Sequence, residues 1–213
     1  MKLFLRRYKQ CFKDKDYVLS FVITWVLIVV SLFVNYAAAL YAEVRASNAV
    51  TDIFLSNIPI FEVGSFFVYG TIIFWITVVL VLLWRPERIP FTLKSVALFI
   101  LIRSVFISLT HLGPFPTHIV VDSNILSLFS TGGDLFFSGH TGFPVLMALI
   151  FWKDIWLRVI FYAAALFFAA IVLLGHVHYS IDVLSAFFIT YAIYHIAVQF
   201  FPHDYEQFVV TKQ

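Results

Sequence analysis

The sequence predicts an all-α polytopic membrane protein of six transmembrane helices, with the N- and C-termini on the cytoplasmic side. Three observations predict it. Hydrophobic residues make up 62% of the 213 and charged residues only 12%, a balance outside that of soluble globular domains. The apolar residues fall into runs near the roughly 20 residues that a bilayer demands of a helix. Lys and Arg gather in alternate connections between those runs, as the positive-inside rule requires of a chain that weaves across a membrane.

The elements follow in order. Lys2, Arg6, Arg7, Lys9, Lys13 and Lys15 make residues 1–16 a basic cytoplasmic N-terminus that is topogenic and attracts anionic lipid. The first apolar run, 17–42, begins as a secretory signal would, and Ala37-Ala38-Ala39 mimics a cleavage site. It is nevertheless longer than the usual signal core of about 7–15 residues. Further runs lie at 63–84, 92–110, 138–152, 158–175 and 179–201, the fourth of the six being short. With no internal repeat or low-complexity linker, residues 17–201 form one membrane domain and 202–213 a cytoplasmic tail. Arg85, Arg88, Lys153, Arg158 and Lys212 then share the N-terminal side, and only Arg45 is basic in an outer loop. Trp84, Trp152 and Tyr179 suit the aromatic belt at the membrane surfaces. The lone Cys11 excludes an internal disulfide. Short loops without an Asn-x-Ser/Thr acceptor point to a bacterial inner membrane. Nothing in the chain points to nucleic acid, and oligomeric state is not legible.

Two stretches carry chemistry. The first is Gly133-Asp134-Leu135-Phe136-Phe137-Ser138-Gly139-His140-Thr141; the second is His178-Tyr179-Ser180-Ile181-Asp182. His178 and Asp182 are four apart, so on a helix they would share a face. The carboxylate would then hold one imidazole nitrogen and leave the other as base, nucleophile or metal ligand. Ser138-Gly139-His140 stands where the next apolar run begins, and its amides would open a helix N-terminus suited to a phosphate. Ser138 and Thr141 offer hydroxyls to that phosphate, although helix capping alone would explain Ser138. Asp134 either assists His140 or caps the turn after Gly132-Gly133. The topology places His140 and His178 at the same outer, periplasmic or exoplasmic surface, together with His111, His118, Asp122, Asp134 and His176. Of these, His111 and His118 are read as loop residues and His176 as interfacial. Arg103 lies roughly 10 Å inside the outer end of the third helix. A guanidinium there either binds phosphate or snorkels to the headgroups.

At these residues the chain resembles the sphingomyelin synthase family, a branch of the type 2 phosphatidic acid phosphatase superfamily. The likeness covers roughly residues 85–194, the catalytic region. It rests on the Gly-Asp-x-x-Phe-Ser-Gly-His-Thr and His-Tyr-Ser-Ile-Asp signatures, and more weakly on Arg103-Ser104 followed by Leu109-Thr110 and Pro114. Val78 stands where the broader phosphatases carry Lys before Arg-Pro, and Ile171-Val172 where they carry Ser-Arg, which favours the synthase branch. The resemblance implies a type 2 phosphatidic acid phosphatase-like helical bundle. It makes His178 the nucleophile that forms a phosphohistidine, Asp182 its orienter and His140 the general acid. Arg103, Ser138, Gly139, Thr141 and Asp134 would bind the phosphate, with neither metal nor cofactor.

The expected activity is therefore that of a lipid phosphotransferase. It would cleave a phospholipid donor and pass the phosphoryl headgroup to a lipid alcohol such as ceramide or diacylglycerol. Hydrolysis of the same intermediate by water would make the protein a lipid phosphate phosphatase. The histidines and acidic residues of the outer side also admit metal binding or transport, and a catalytically silent scaffold would keep the same fold.

Overall fold

The computed structural model describes residues 2–119 and 135–210. These form helices α1 (Lys2–Cys11), α2 (Lys15–Arg45), α3 (Gly64–Trp84), α4 (Ile89–Leu109), α5 (Gly139–Ile150), α6 (Ile155–Leu174), α7 (Ser180–Phe200) and α8 (Pro202–Val210), with a single 3-10 turn, Pro86–Arg88, leading into α4. Among the described residues there is no strand. Five of the helices, α2, α3, α4 with its leading turn, α6 and α7, are long and apolar enough to cross a membrane. Their outward faces are apolar too, as Phe33, Ile73, Leu166 and Phe188 show, each more than 60% exposed. In water such faces would be unstable; against lipid they are the expected surface.

The fourth expected span is α5, and its 12 residues give only about 18 Å of helix. It is also the most enclosed helix, with ten of its residues buried between α4, α6 and α7. Its N-terminus starts well inside the bundle, at the depth of Arg103. Backbone that ends at such depth is tolerated only where protein surrounds it. The close seating depends on Gly142, where a Cβ would stand 2.6 Å from the buried Phe99 ring and 3.0 Å from the Thr190 hydroxyl. Gly142→Ala should therefore destabilise the fold by about 1–3 kcal/mol, the usual cost of overpacking. A thermal unfolding series in detergent against Ala148→Gly checks this, because a deletion in the same helix leaves a gap rather than a clash.

The stretches read as a basic N-terminus and a tail carry helices α1 and α8, and both dock on the bundle. In α1, Arg7 Nη1 donates to the Trp84 carbonyl and Tyr8 Oη to the Leu83 carbonyl, both at 3.1 Å. They satisfy carbonyls that the last turn of α3 leaves without helical partners, with positive charge at the negative end of its dipole. At the other terminus α8 folds back under α2 and α4. Asp204 accepts hydrogen bonds from Ser20 and, at 2.6 Å, from Lys94, all three residues being buried. Lys94 also donates to Ser20 at 2.8 Å and faces the Phe201 ring at 5.5 Å. Both termini thus pack at one end of the bundle, the end of the α3 C-terminus and the α4 N-terminus.

Candidate active site

The opposite end holds the two signatures; two hydrogen bonds join them and a third ties Arg103 to the first. The Nδ1–H of His178 donates to the Leu135 carbonyl at 2.8 Å, the Ser138 amide donates to the Asp182 carbonyl at 3.2 Å, and Arg103 Nε donates to the Phe137 carbonyl at 2.9 Å. One short segment, 135–138, therefore ties α4, the start of α5 and the start of α7 to one another.

The second signature is built differently from the expected helical pair. His178 precedes the helix, because Tyr179 is its N-cap and Ser180 its first residue. The expectation that His178 and Asp182 share a helical face is thus corrected, although their side chains still meet, Nδ1 to Oδ2, at 3.4 Å. A carbonyl can only accept, so the 2.8 Å bond to Leu135 requires the proton on Nδ1. That leaves the Nε2 lone pair of neutral His178 for chemistry. Asp182 is fully buried and holds the helix start, its Oδ2 accepting from the Tyr179 amide at 3.0 Å. Its Oδ1 has no hydrogen-bond partner among the described residues. Asp182 therefore acts on the imidazole at longer range than the Leu135 carbonyl does.

In the first signature Ser138 is the N-cap of α5. Its Oγ accepts from the Thr141 amide at 3.4 Å and from the Thr141 hydroxyl at 3.3 Å, so the two hydroxyls are engaged with one another. Gly139 lies over Arg103, where a Cβ would sit 3.4 Å from Nε. The His140 imidazole is half-buried between aromatic rings, with centroids 4.2 Å from Phe67 of α3 and 6.1 Å from Phe168 of α6. Arg103 is buried and turned toward segment 135–138, an arrangement opposed to snorkelling. Asp134, Gly132, Gly133 and Asp122 lie outside the described residues.

His176, expected at the interface, is instead buried and left-handed at φ 54°, its Nδ1 2.6 Å from the Thr117 hydroxyl and its edge on Phe115. His111 and His118 are loop residues. The His111 ring packs on Tyr41, and His118 Nδ1 donates to the Phe115 carbonyl at 2.7 Å. Among the described residues no three His, Cys, Asp or Glu side chains group as metal ligands would.

Two supports of the site went unread in the sequence. Tyr179 donates to the Gly113 carbonyl at 2.7 Å and accepts from the Val50 amide at 3.3 Å. Asp52 Oδ2 accepts from the Ser180 amide at 2.7 Å, while Oδ1 accepts from the Phe54 and Leu55 amides. An Asp just ahead of the amides it caps is a local turn signal. Its reach across 128 residues to α7 is not local, and a backbone carbonyl such as that of Leu135 carries no sequence signal at all.

Burial alone would raise the Asp52 pKa, but these amide bonds outweigh it and hold the carboxyl below its ordinary range. A lowered folded-state value means stability that is complete above the ordinary carboxylate pKa and lost as pH falls through the lowered one. Asp52→Asn should thus flatten the acid limb of a melting-temperature profile below about pH 5. An unchanged limb would show that Asp52 contributes nothing to the pH dependence.

The PAP2 superfamily C-terminal model matches residues 131–199, a stretch that contains both signatures. No curated protein and no solved structure matches the chain. The match supports the PAP2 superfamily, typically phosphatases, and with the five long apolar helices it supports an integral membrane protein with phosphoesterase or phosphotransferase chemistry.

Proposed function

We propose that the protein is a membrane lipid phosphotransferase of the sphingomyelin synthase type, working through a phosphohistidine on His178. The observation that carries the reading is the Nδ1–H bond of His178 to the Leu135 carbonyl, which leaves the Nε2 lone pair of a neutral imidazole for chemistry next to the segment that Arg103 also binds. In the first half-reaction Nε2 attacks phosphorus, a P–N bond forms and the P–O bond to the donor lipid breaks. His140 gives its proton to the departing alkoxide. In the second, His140 takes the proton of an acceptor alcohol, whose oxygen attacks phosphorus as the P–N bond breaks. Arg103 offsets charge on the phosphoryl oxygens, helped by the amides that open α5. Splitting the transfer lets one pocket serve the donor and acceptor lipids in turn.

The site would face the periplasm or exterior, with both termini in the cytoplasm and α5 as a sixth, shortened crossing. Hydrolysis is the second reading. The typical phosphatase activity of the matched superfamily favours it, and it needs only water in place of the acceptor alcohol. Purified protein given mixed phospholipids with ceramide and diacylglycerol separates the two by mass spectrometry. A new lipid bearing the donor's headgroup establishes transfer; free phosphate or phosphoalcohol without one establishes hydrolysis. Neither product, with no acid-labile label on the protein from a phosphate-labelled donor, would sink the covalent mechanism.

A further inference from the structure

At the end of the bundle opposite His178, the turn after α5, the last turns of α7 and helix α8 enclose a cavity of about 290 Å³. Arg88, from the turn before α4, lines it. Its side chain is only 4% exposed, and its guanidinium lies between Phe151 and Phe208 at 5.4 and 5.0 Å from their centroids. Among the described residues no carboxylate stands within ion-pair distance of Arg88 and no acceptor takes its side-chain N–H groups. Asp154, also on the cavity, is engaged in capping α6 through the Leu157 amide.

A buried guanidinium is costly unless its donors are matched. The two rings compensate its faces by cation–π contact but leave its edge unanswered. We propose that this cavity binds a phosphate-bearing anion through the edge of Arg88, at a site separate from the two histidines. His195 stands at its rim, exposed and edge-on to Tyr191 and Tyr194 at 4.5 and 5.3 Å, and adds a donor there. The volume suits a phosphate with a small organic substituent better than a bare carboxylate. The rim also carries exposed Trp152 and Lys153, residue types that sit at headgroup level, where phosphate is the common anion. The anion comes either from a lipid headgroup of that leaflet or from free phosphate in the adjoining water.

The test uses the full chain in phosphatidylcholine nanodiscs, with thermal unfolding followed as inorganic phosphate is added or as phosphatidic acid is included in the bilayer. Wild type should gain stability with one of the probes: with phosphate if the source is free, and only with phosphatidic acid if the source is a headgroup. Arg88→Gln should weaken the response about tenfold or more, the scale of a lost charged hydrogen bond. His195→Glu places a carboxylate at an exposed rim position without burdening the fold, and it should weaken the response as well. If Arg88→Gln does not fold, His195→Glu decides. No response in wild type, or one that the folded variants leave intact, overturns the proposal; a response of the latter kind belongs to the other end of the protein.

Discussion

His178→Ala is expected to abolish product formation, by on the order of 10⁴-fold or more, the scale seen when one member of a cooperating catalytic set is removed. The variant should fold, because the imidazole's one strong bond is to the Leu135 carbonyl and the start of α7 is held independently by Asp182 and Asp52. Retained turnover would eliminate the covalent mechanism for both transfer and hydrolysis. His140→Ala gives the complementary result. A positioned general acid contributes about 10²–10⁴-fold, so alkyl phosphoesters should suffer by that amount. An aryl ester whose phenolate leaves without a proton should be far less affected. Equal losses on both substrates would remove His140 from the role of acid.

Asp204→Ala is expected to give the largest loss of stability. Lys94 and Asp204 are 8% and 5% exposed at their side chains and meet at 2.6 Å, with the Ser20 hydroxyl bound to both. Removing one partner leaves the other as an uncompensated buried charge, at a cost of about 3–5 kcal/mol. Thermal unfolding in nanodiscs should register this as a drop on the order of 10 °C for a chain of this size. The double variant Lys94→Met with Asp204→Leu should recover most of the loss, since well-packed apolar groups often replace a buried pair without penalty. A single variant as stable as wild type would show that α8 does not depend on the pair.

The helices and both signatures were legible because each rests on a signal confined to neighbouring residues. An apolar run of about 20 residues has one low-energy arrangement in lipid, a helix that pairs its own backbone. His140 and His178 were legible for a similar reason, each lying in a run of residues with a recognisable order. The local reading failed at the seams. His178–Asp182 spacing fits a helical face, but α7 begins only after its N-cap Tyr179, which leaves His178 outside it. The docking of α1 had no local signal either, because the carbonyls that Arg7 and Tyr8 cap belong to Trp84 and Leu83.

The sequence by itself determined that this is a helical membrane protein, which segments are apolar, and which residue types are available for phosphoryl chemistry. Hydrophobicity and motif order are properties of a linear chain, so they survive without a fold. Only the tertiary structure decided that Leu135, rather than Asp182, sets the tautomer of His178, that Asp52 supports α7, that α5 is enclosed, and that Arg88 faces a cavity with its edge unmatched among the described residues. Hydrogen bonds and burial depend on which distant groups come within about 3 Å of one another, and packing alone determines that.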